Sequence, residues 1–309
     1  HDNREMGQTD MEDARLPVLA TKLSYSLNNL EISGVAIHEI RPTKVGSEGT
    51  DYDPYITYRD GSNPTFQKED VPKNTTENTE WLFRIFNSFN GGDLSFVYAD
   101  VFDDEAYLAY ETATNSFIPS FKRIQVLGLA GNLVKESWLL KTEVAQINGK
   151  ALMRNDLTEQ LTEQLTKQLT GQLTQGENDP MSWSEKDIRQ TMIGVEYAGI
   201  TDLVVTIEAN RSQIEAYEDN IYNDEVSDSY GLRIRYDALN QTLQPRFSWI
   251  NIANNNGSIY RLNVDYDYID ALQLSGGVVI FNATDENDSL YPYRYNDRIF
   301  CSVKYSFSG

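Results

Sequence analysis

The chain has 309 residues, 40% of them hydrophobic, and its 47 acidic and 26 basic side chains give a formal net charge of −21. This charge disfavours nucleic acid and anionic lipid surfaces as partners, because their phosphates repel it. The hydrophobic fraction is too high for a disordered acidic tail. The single cysteine excludes an internal disulfide and any cluster of cysteine metal ligands.

Segments in which apolar and polar residues alternate recur along the chain in pairs, which indicates half-buried β-strands. In order they are LPVLATKLSYSL with LEISGVAIHEI, WLFRIFNSF with DLSFVYADVF, FKRIQVLGL with LVKESWLLKTEVAQI, DIRQTMIGVEY with DLVVTIEANRSQI, SYGLRIRYDAL with TLQPRFSWINI, SIYRLNVDYDY with ALQLSGGVVIFNA, and DRIFCSVKYSF alone. The links within the pairs (NN, NGG, AGN, AGIT, NQ and ID) are typical of β-hairpins. The sequence therefore predicts about thirteen strands.

The links between the pairs are mostly long and polar, and we place long loops at 42–79, 103–120, 149–187, 214–228 and 283–296. Short turns at one end and long loops at the other are typical of transmembrane barrels, whereas a soluble sandwich mixes its loop lengths. We predict one domain over 1–309, an all-β, antiparallel up-and-down transmembrane β-barrel with its long loops outside the cell. Bacterial single-chain barrels have even strand numbers, so about thirteen strands indicate part of a larger barrel.

Each predicted strand has one apolar and one polar face. Between residues 230 and 235, for example, Tyr230, Leu232 and Ile234 alternate with Arg233 and Arg235. We expect the apolar faces to contact outer-membrane lipid and the polar faces to line a pore. The candidate lumen-facing charges are Arg233, Arg235, Arg246, Arg261, Arg298, Lys304, Asp237, Asp265 and Glu208. They either steer ions and form a transverse field, or pair with one another and stiffen the wall; the sequence favours neither.

Aromatic residues stand near the ends of several predicted strands, as the interfacial girdles of a membrane barrel require. They include Tyr25, Trp81, Tyr98, Tyr197, Tyr236, Tyr266 and Phe307. The alternative is that these rings fill the core of a soluble sandwich. Cys301 falls in the apolar set of the last strand and is interpreted as a small hydrophobic residue.

The predicted loops contain two further patterns. LTEQLTEQLTKQLTGQLT repeats leucine every four residues, which favours a tandem repeat with a short helix capped near Asn155 and Asp156 over a coiled coil. The acidic clusters 51–53, 103–105 and 285–289 either bind calcium or are solvated surface, and we favour the latter.

Signatures of catalysis are missing from the sequence, whose two histidines are His1 and His38. It contains no nucleophile elbow, no phosphate-binding loop and no HExxH motif. We therefore expect no enzyme, no catalytic residue, no metal and no cofactor.

Three stretches resemble one proteobacterial outer-membrane family. They are ARLPVLATKLSY, WLFRIFNSFNGGDLSFVYADVFDD and LYPYRYNDRIFCSVKYSF. The family is the large porin-like one known as domain of unknown function 1302, and the resemblance runs along the chain against its C-terminal portion. It implies an outer-membrane β-barrel and no reaction; passage of hydrophobic compounds is suggested for some relatives.

The last strand also resembles the signal that the barrel-assembly machinery reads, with Phe307 as the terminal aromatic residue and Tyr305 in the alternate set before it. We thus expect a porin-like barrel of the bacterial outer membrane that lets a small solute or hydrophobic compound pass. The alternatives are a soluble or secreted lectin-like all-β protein, and a surface adhesin or receptor that acts through its loops.

Overall fold

The computed structural model describes residues 2, 4, 15–56, 64–170, 181–253, 257–284 and 290–307. The strands are β1 (Ala20–Leu27), β2 (Leu30–Ile37), β3 (Thr65–Phe66), β4 (Glu80–Phe89), β5 (Gly92–Phe102), β6 (Tyr107–Glu111), β7 (Ser116–Ser120), β8 (Arg123–Lys135), β9 (Trp138–Met153), β10 (Trp183–Ile200), β11 (Leu203–Ile214), β12 (Val226–Tyr236), β13 (Leu243–Ile252), β14 (Gly257–Ile269), β15 (Leu272–Asn282) and β16 (Arg298–Tyr305). One helix, α1, spans Leu157–Thr170.

Thirteen of these strands form one sheet in the order β1-β2-β4-β5-β8-β9-β10-β11-β12-β13-β14-β15-β16. Each strand pairs antiparallel with the sheet strand before it, for example β9 with β10 and β15 with β16. The prediction of an all-β, antiparallel up-and-down architecture with thirteen strands is confirmed. Within the described ranges β1 and β16 are the outer strands, and they do not pair with each other.

The hairpin between β8 and β9 turns at Glu136 and Ser137, not at Ala130–Asn132 as the AGN segment predicts. Residues 130–132 instead pair with 143–141 on β9, and Glu136 adopts the positive φ of 54° that the turn requires. Gly131 lies within the strand, where the side chain of Leu94 occupies the position next to it: a Cβ on residue 131 would be 3.0 Å from Cδ2 of Leu94. Gly131 therefore makes room for a side chain of the neighbouring strand, although in the sequence it was interpreted as part of a turn.

The long loops carry secondary structure of their own. β3, β7 and β6 form a separate three-stranded sheet, which lies within two of the predicted loops and which the sequence did not predict. Short 3₁₀ turns occur at Thr76–Asn78 and Tyr291–Tyr293. The helix predicted in the leucine repeat is present as α1, and its start at Leu157 places Asp156 just before it. The end of the repeat, including Leu173, lies outside the described residues.

Among the described residues, no helix is long and apolar enough to cross a membrane.

Buried apolar residues form two small clusters instead of one continuous core. The first joins Leu152, Ile188, Ile214 and Ile221, and the second joins Tyr52, Val279 and Phe281. Both clusters contain strand residues and one residue of a long loop, so they fix loops onto the sheet. Many other large apolar side chains of the sheet are exposed, including Leu23 at 80% and Ile299 at 87%.

Candidate functional site

Most of the predicted lumen charges lie on one face of the sheet, because directly opposed residues of a ladder share a face. Arg233 on β12 is opposite Thr206 on β11 and Ser248 on β13. Ser248 is opposite Arg261, and Val279 on β15 lies between Arg261 and Arg298. A row across six strands therefore carries three arginines, and we call the face on which it lies the polar face.

A second row of the polar face places two arginines opposite each other. Arg235 pairs in register with Arg246, which is followed by Asn263 on β14. Asp265, which is 8% exposed, lies with its Oδ2 3.3 Å from Nη2 of Arg246. Oδ2 of Asp237 is 3.8 Å from Nε of Arg235. Each of the two opposed guanidinium groups thus has a carboxylate partner that offsets their mutual repulsion.

Arg233, Glu208 and Lys304 differ from these pairs. Glu208 is opposite Gly231 and Lys304 is opposite Gln273, so both also lie on the polar face. In the described part of the chain, none of the three forms a hydrogen bond or ion pair with another side chain, and Arg233 is exposed. Four of the predicted candidates therefore form two ion pairs, Arg235 with Asp237 and Arg246 with Asp265, whereas Arg233, Glu208 and Lys304 form none within the described ranges.

On β9 and β10 the polar face contains an ion pair that was not among the predicted candidates. Nζ of Lys141 on β9 is 3.2 Å from Oε2 of Glu196 on β10, and the hydroxyl of Thr206 donates a hydrogen bond of 3.2 Å to the same oxygen. Alternation in both strands places these residues on the polar face, but their pairing depends on the β9–β10 register. The long loop that carries α1 joins these two strands, so no short turn in the sequence fixes their register.

The opposite face, which we call the apolar face, presents large hydrophobic side chains across the sheet. Ile207 is 59% exposed and Val303 is 71% exposed. Cys301 is also exposed on this face. Lys135, opposite Trp138, lies at the short-turn end of this face, and the other charged strand residues described on it lie at the ends of the strands next to the long loops. They form the pairs Arg211–Asp228, Arg189–Glu215 and Arg123–Asp100. These pairs bound the apolar face on the long-loop side.

Aromatic rings line the other boundary of the apolar face, next to the short turns. Trp138 and Tyr197 flank neighbouring turns with ring centroids 4.5 Å apart, and Tyr305 and Phe307 are 4.8 Å apart. Of the other rings in the predicted girdles, Tyr25, Tyr236 and Tyr266 also lie at this boundary, whereas Trp81 and Tyr98 lie nearer the long loops.

The long loop after β2 reaches β15 and β16, at the other edge of the sheet. Tyr52 in this loop is 7% exposed and packs on Val279 and Phe281, which belong to the polar face. Its ring stacks on Tyr293 with centroids 5.7 Å apart, and burial raises the pKa of the Tyr293 hydroxyl. The guanidinium of Arg298 donates a hydrogen bond to the Tyr52 hydroxyl. The loop after β2 therefore covers the polar face at the start of β16.

The acidic loop clusters have partners within the protein. Asp53, 2% exposed, accepts backbone hydrogen bonds from Gly49 and Tyr55 at 3.2 and 2.9 Å. Asp103 and Glu105 lie 3.1 and 3.0 Å from Nζ of Lys150. The cluster 285–289 falls outside the described residues. No group of three or more His, Cys, Asp or Glu suited to a metal occurs in the residues that the structure describes.

Asp156 anchors the loop that carries α1. Its carboxylate accepts hydrogen bonds from Arg154 at 2.9 and 2.6 Å, from Gln160 at 2.9 Å and from Asn220 at 3.2 Å. The bonds from Arg154 lower the pKa of this carboxyl to about 2. Asp156 precedes the helix as predicted, and these four hydrogen bonds come from side chains.

Comparisons with known proteins give one family. The family model described as "Protein of unknown function (DUF1302)" matches residues 2–307. Two solved structures of mutant porins from Rhodopseudomonas blastica are 13% and 14% identical to this chain with TM-scores of 0.44, and the alignments cover 93% of this chain and 77% of theirs. A porin refined at 1.8 Å is 11% identical with a TM-score of 0.39, over 93% of this chain and 60% of that one. No curated protein matches.

Proposed function

Because this chain belongs to the family described as a protein of unknown function, DUF1302, we propose a function from its geometry: it forms the wall of a porin-like barrel in the bacterial outer membrane, through which a small solute passes. The observation that carries the proposal is the division of the thirteen-stranded sheet into a charged polar face and an exposed apolar face.

The apolar face favours lipid over water as its surroundings. Burying a side chain such as Leu, Ile or Val away from water stabilises a protein by about 1.5–3 kcal/mol. On the apolar face of the successive strands β8, β9 and β10, Leu129, Leu140 and Ile193 are 56%, 43% and 54% exposed. The arginine–carboxylate pairs at one boundary and the aromatic rings at the other match the two interfaces of a bilayer.

The polar face supplies the surface for passage. Its paired charges stiffen the wall, and its unpaired charges, among them Arg233 and Glu208, set the local potential that a solute meets. The two roles that the sequence left open thus belong to different residues. We propose that Arg233 contributes more to ion selectivity than Arg246, because Asp265 neutralises Arg246.

Single-channel recording tests this assignment. The full-length protein is reconstituted in planar bilayers, and reversal potentials are measured in a salt gradient. We expect Arg233→Ala to shift the reversal potential towards cation selectivity, and the matched change Arg246→Ala to shift it less. A reconstituted protein that conducts no ions would contradict passage through the barrel.

Localisation is tested by fractionation. We expect the protein in the outer-membrane fraction, released by detergent only. A monomer that stays soluble without detergent would instead support the lectin-like alternative. We also propose that the barrel-assembly machinery recognises the end of β16, where Tyr305 and Phe307 are 54% and 87% exposed.

A further inference from the structure

The polar face contains a recess of about 430 Å³ over β9–β12. The side chains that give it its chemistry are the carboxylates of Glu143 and Glu208, the amides of Gln190 and Asn210, and the hydroxyls of Ser227 and Ser229. These residues occupy adjoining rows of the ladder: Glu143, Met192, Asn210 and Ser229 are opposed in series across the four strands. The recess is therefore a continuous surface on one wall.

Small residues in the ladder create the space. Glu208 on β11 has a glycine opposite it on each side, Gly194 on β10 and Gly231 on β12. A Cβ at Gly194 would lie 3.2 Å from Cγ of Glu208, so a larger residue there would displace the Glu208 side chain. The two glycines let the Glu208 carboxylate lie along the wall at the edge of the recess.

The long-loop end of the recess is closed. Ile188 and Ile214 are opposed in register. They are the next pair on this face beyond Gln190 and Ser212, towards the long loops. They are 6% and 5% exposed, and Ile221 of the β11–β12 loop packs on them with Leu152. A solute in the recess therefore meets a packed apolar boundary on the outer side and polar side chains below it.

The charge of the recess is negative. Within the described ranges neither Glu143 nor Glu208 forms an ion pair. Arg211 also lines the recess, but its guanidinium pairs with Asp228 at 2.7 Å. On the same strands, Lys141 pairs with Glu196 at 3.2 Å and Lys186 with Glu218 at 2.7 Å. Two carboxylates bordered by amides and hydroxyls attract a cation that can also donate and accept hydrogen bonds.

We infer that this recess binds a small hydroxylated organic cation, such as an amino sugar, as it moves along the polar face. The inference rests on the proposed function and adds the class of solute. An anionic solute meets two carboxylates there, and a hydrophobic one meets few apolar groups, of which Met192 is the largest.

Three probes of similar size test the site at pH 7: cationic glucosamine, neutral glucose and anionic glucuronate. Binding to the detergent-solubilised full-length protein is measured by calorimetry, and interruptions of single-channel current by each probe are measured separately. We expect glucosamine to bind at least tenfold more tightly than glucose or glucuronate. The double variant Glu143→Gln with Glu208→Gln should lose that preference while the sheet content by circular dichroism stays unchanged.

The control is Glu31→Gln, which removes a carboxylate from the polar face outside the recess, where Glu31 lies 3.5 Å from Lys22. It should keep the glucosamine preference. Equal binding of the three probes, or a preference that survives in the double variant, would overturn the inference that the recess is the binding site. A protein that binds glucosamine through these carboxylates but conducts no ions overturns passage and leaves the binding site standing.

Discussion

Tyr52 and Arg298 are 246 positions apart in the chain, yet the guanidinium of Arg298 donates a hydrogen bond to the Tyr52 hydroxyl and lies 4.9 Å from the centre of its ring. Tyr52 belongs to the loop after the second strand of the sheet, and Arg298 begins the last. A second contact accompanies this one: the side-chain amide of Asn296 donates a hydrogen bond of 2.9 Å to the carbonyl oxygen of Asp51. The loop thus links strands near opposite edges of the sheet.

Replacing Tyr52 is expected to release this loop. Tyr52→Ala removes the ring, the cation–π contact and the hydrogen bond, whereas Tyr52→Phe removes the hydrogen bond alone. Since a cation–π contact contributes about 0.5–2 kcal/mol, cleavage of 42–56 by protease should accelerate several-fold in the alanine variant and less in the phenylalanine variant. Tyr55→Ala is the control, because Tyr55 stacks on Phe66 at 5.4 Å. Unchanged cleavage of Tyr52→Ala would mean that the loop is held elsewhere.

A charge on the apolar face should destabilise the protein in lipid. We expect Ile207→Lys, at a position 59% exposed on that face, to lower the free energy of unfolding by about 2–4 kcal/mol. Asn210→Lys, on the polar face of the same strand, should lower it by less than about 1 kcal/mol. Urea unfolding in lipid vesicles, followed by tryptophan fluorescence, measures both. Equal losses would argue against a lipid-facing apolar side.

Two adjacent glycines of β15 should respond differently to alanine. A Cβ at Gly277 would lie 2.4 Å from Cζ of Phe300 and 2.6 Å from the backbone oxygen of Leu262, whereas the nearest atom to one at Gly276 is 3.8 Å away. We expect Gly277→Ala to destabilise the sheet by about 1–3 kcal/mol through overpacking, and Gly276→Ala to leave its stability within about 0.5 kcal/mol. The same unfolding measurement compares them. A neutral Gly277→Ala would show that Phe300 and β14 can move apart.

The Asp156 carboxyl should make the anchor of α1 acid-sensitive. Its pKa is about 2 in the folded protein, below the ordinary value of about 3.9, so its stabilising effect is complete above pH ~4 and is lost as the pH falls towards 2. Carboxyl ¹³C shifts measure the pKa, and Arg154→Gln should raise it towards 4. An unshifted carboxyl in the unmodified protein would mean that Arg154 does not hold it.

The alternation of apolar and polar residues predicted much of the fold, because successive side chains of a strand point to opposite faces and the two faces have different surroundings. The segment from 226 to 236 shows this: Leu232 and Ile234 lie on one face and Arg233 and Arg235 on the other, in the predicted strand. The same pattern assigned Glu208, Arg261 and Lys304 to the polar face. Position along a strand therefore sufficed to sort side chains by face.

Contacts between loops and strands were beyond such patterns. The three-stranded sheet of β3, β6 and β7 forms from segments that are separated by turns and have little room for alternation, and two of its strands span five residues each. Similarly, nothing local marks Tyr52 as the partner of Arg298. Which charges pair also required the register between strands, as the Lys141–Glu196 contact across β9 and β10 illustrates, and a long loop between two strands leaves that register unspecified in the sequence.

The alternation that separates the two faces has a consequence for the chain before it folds. An unfolded segment such as SIYRLNVDYDY interrupts its apolar side chains with polar ones at short intervals, and the chain as a whole has a mean hydropathy of −0.51. Such a chain offers no continuous run of about 18 apolar residues for a lipid bilayer to capture as a helix. A chain of this design stays a hydrophilic polymer in water and becomes amphipathic only when its strands pair.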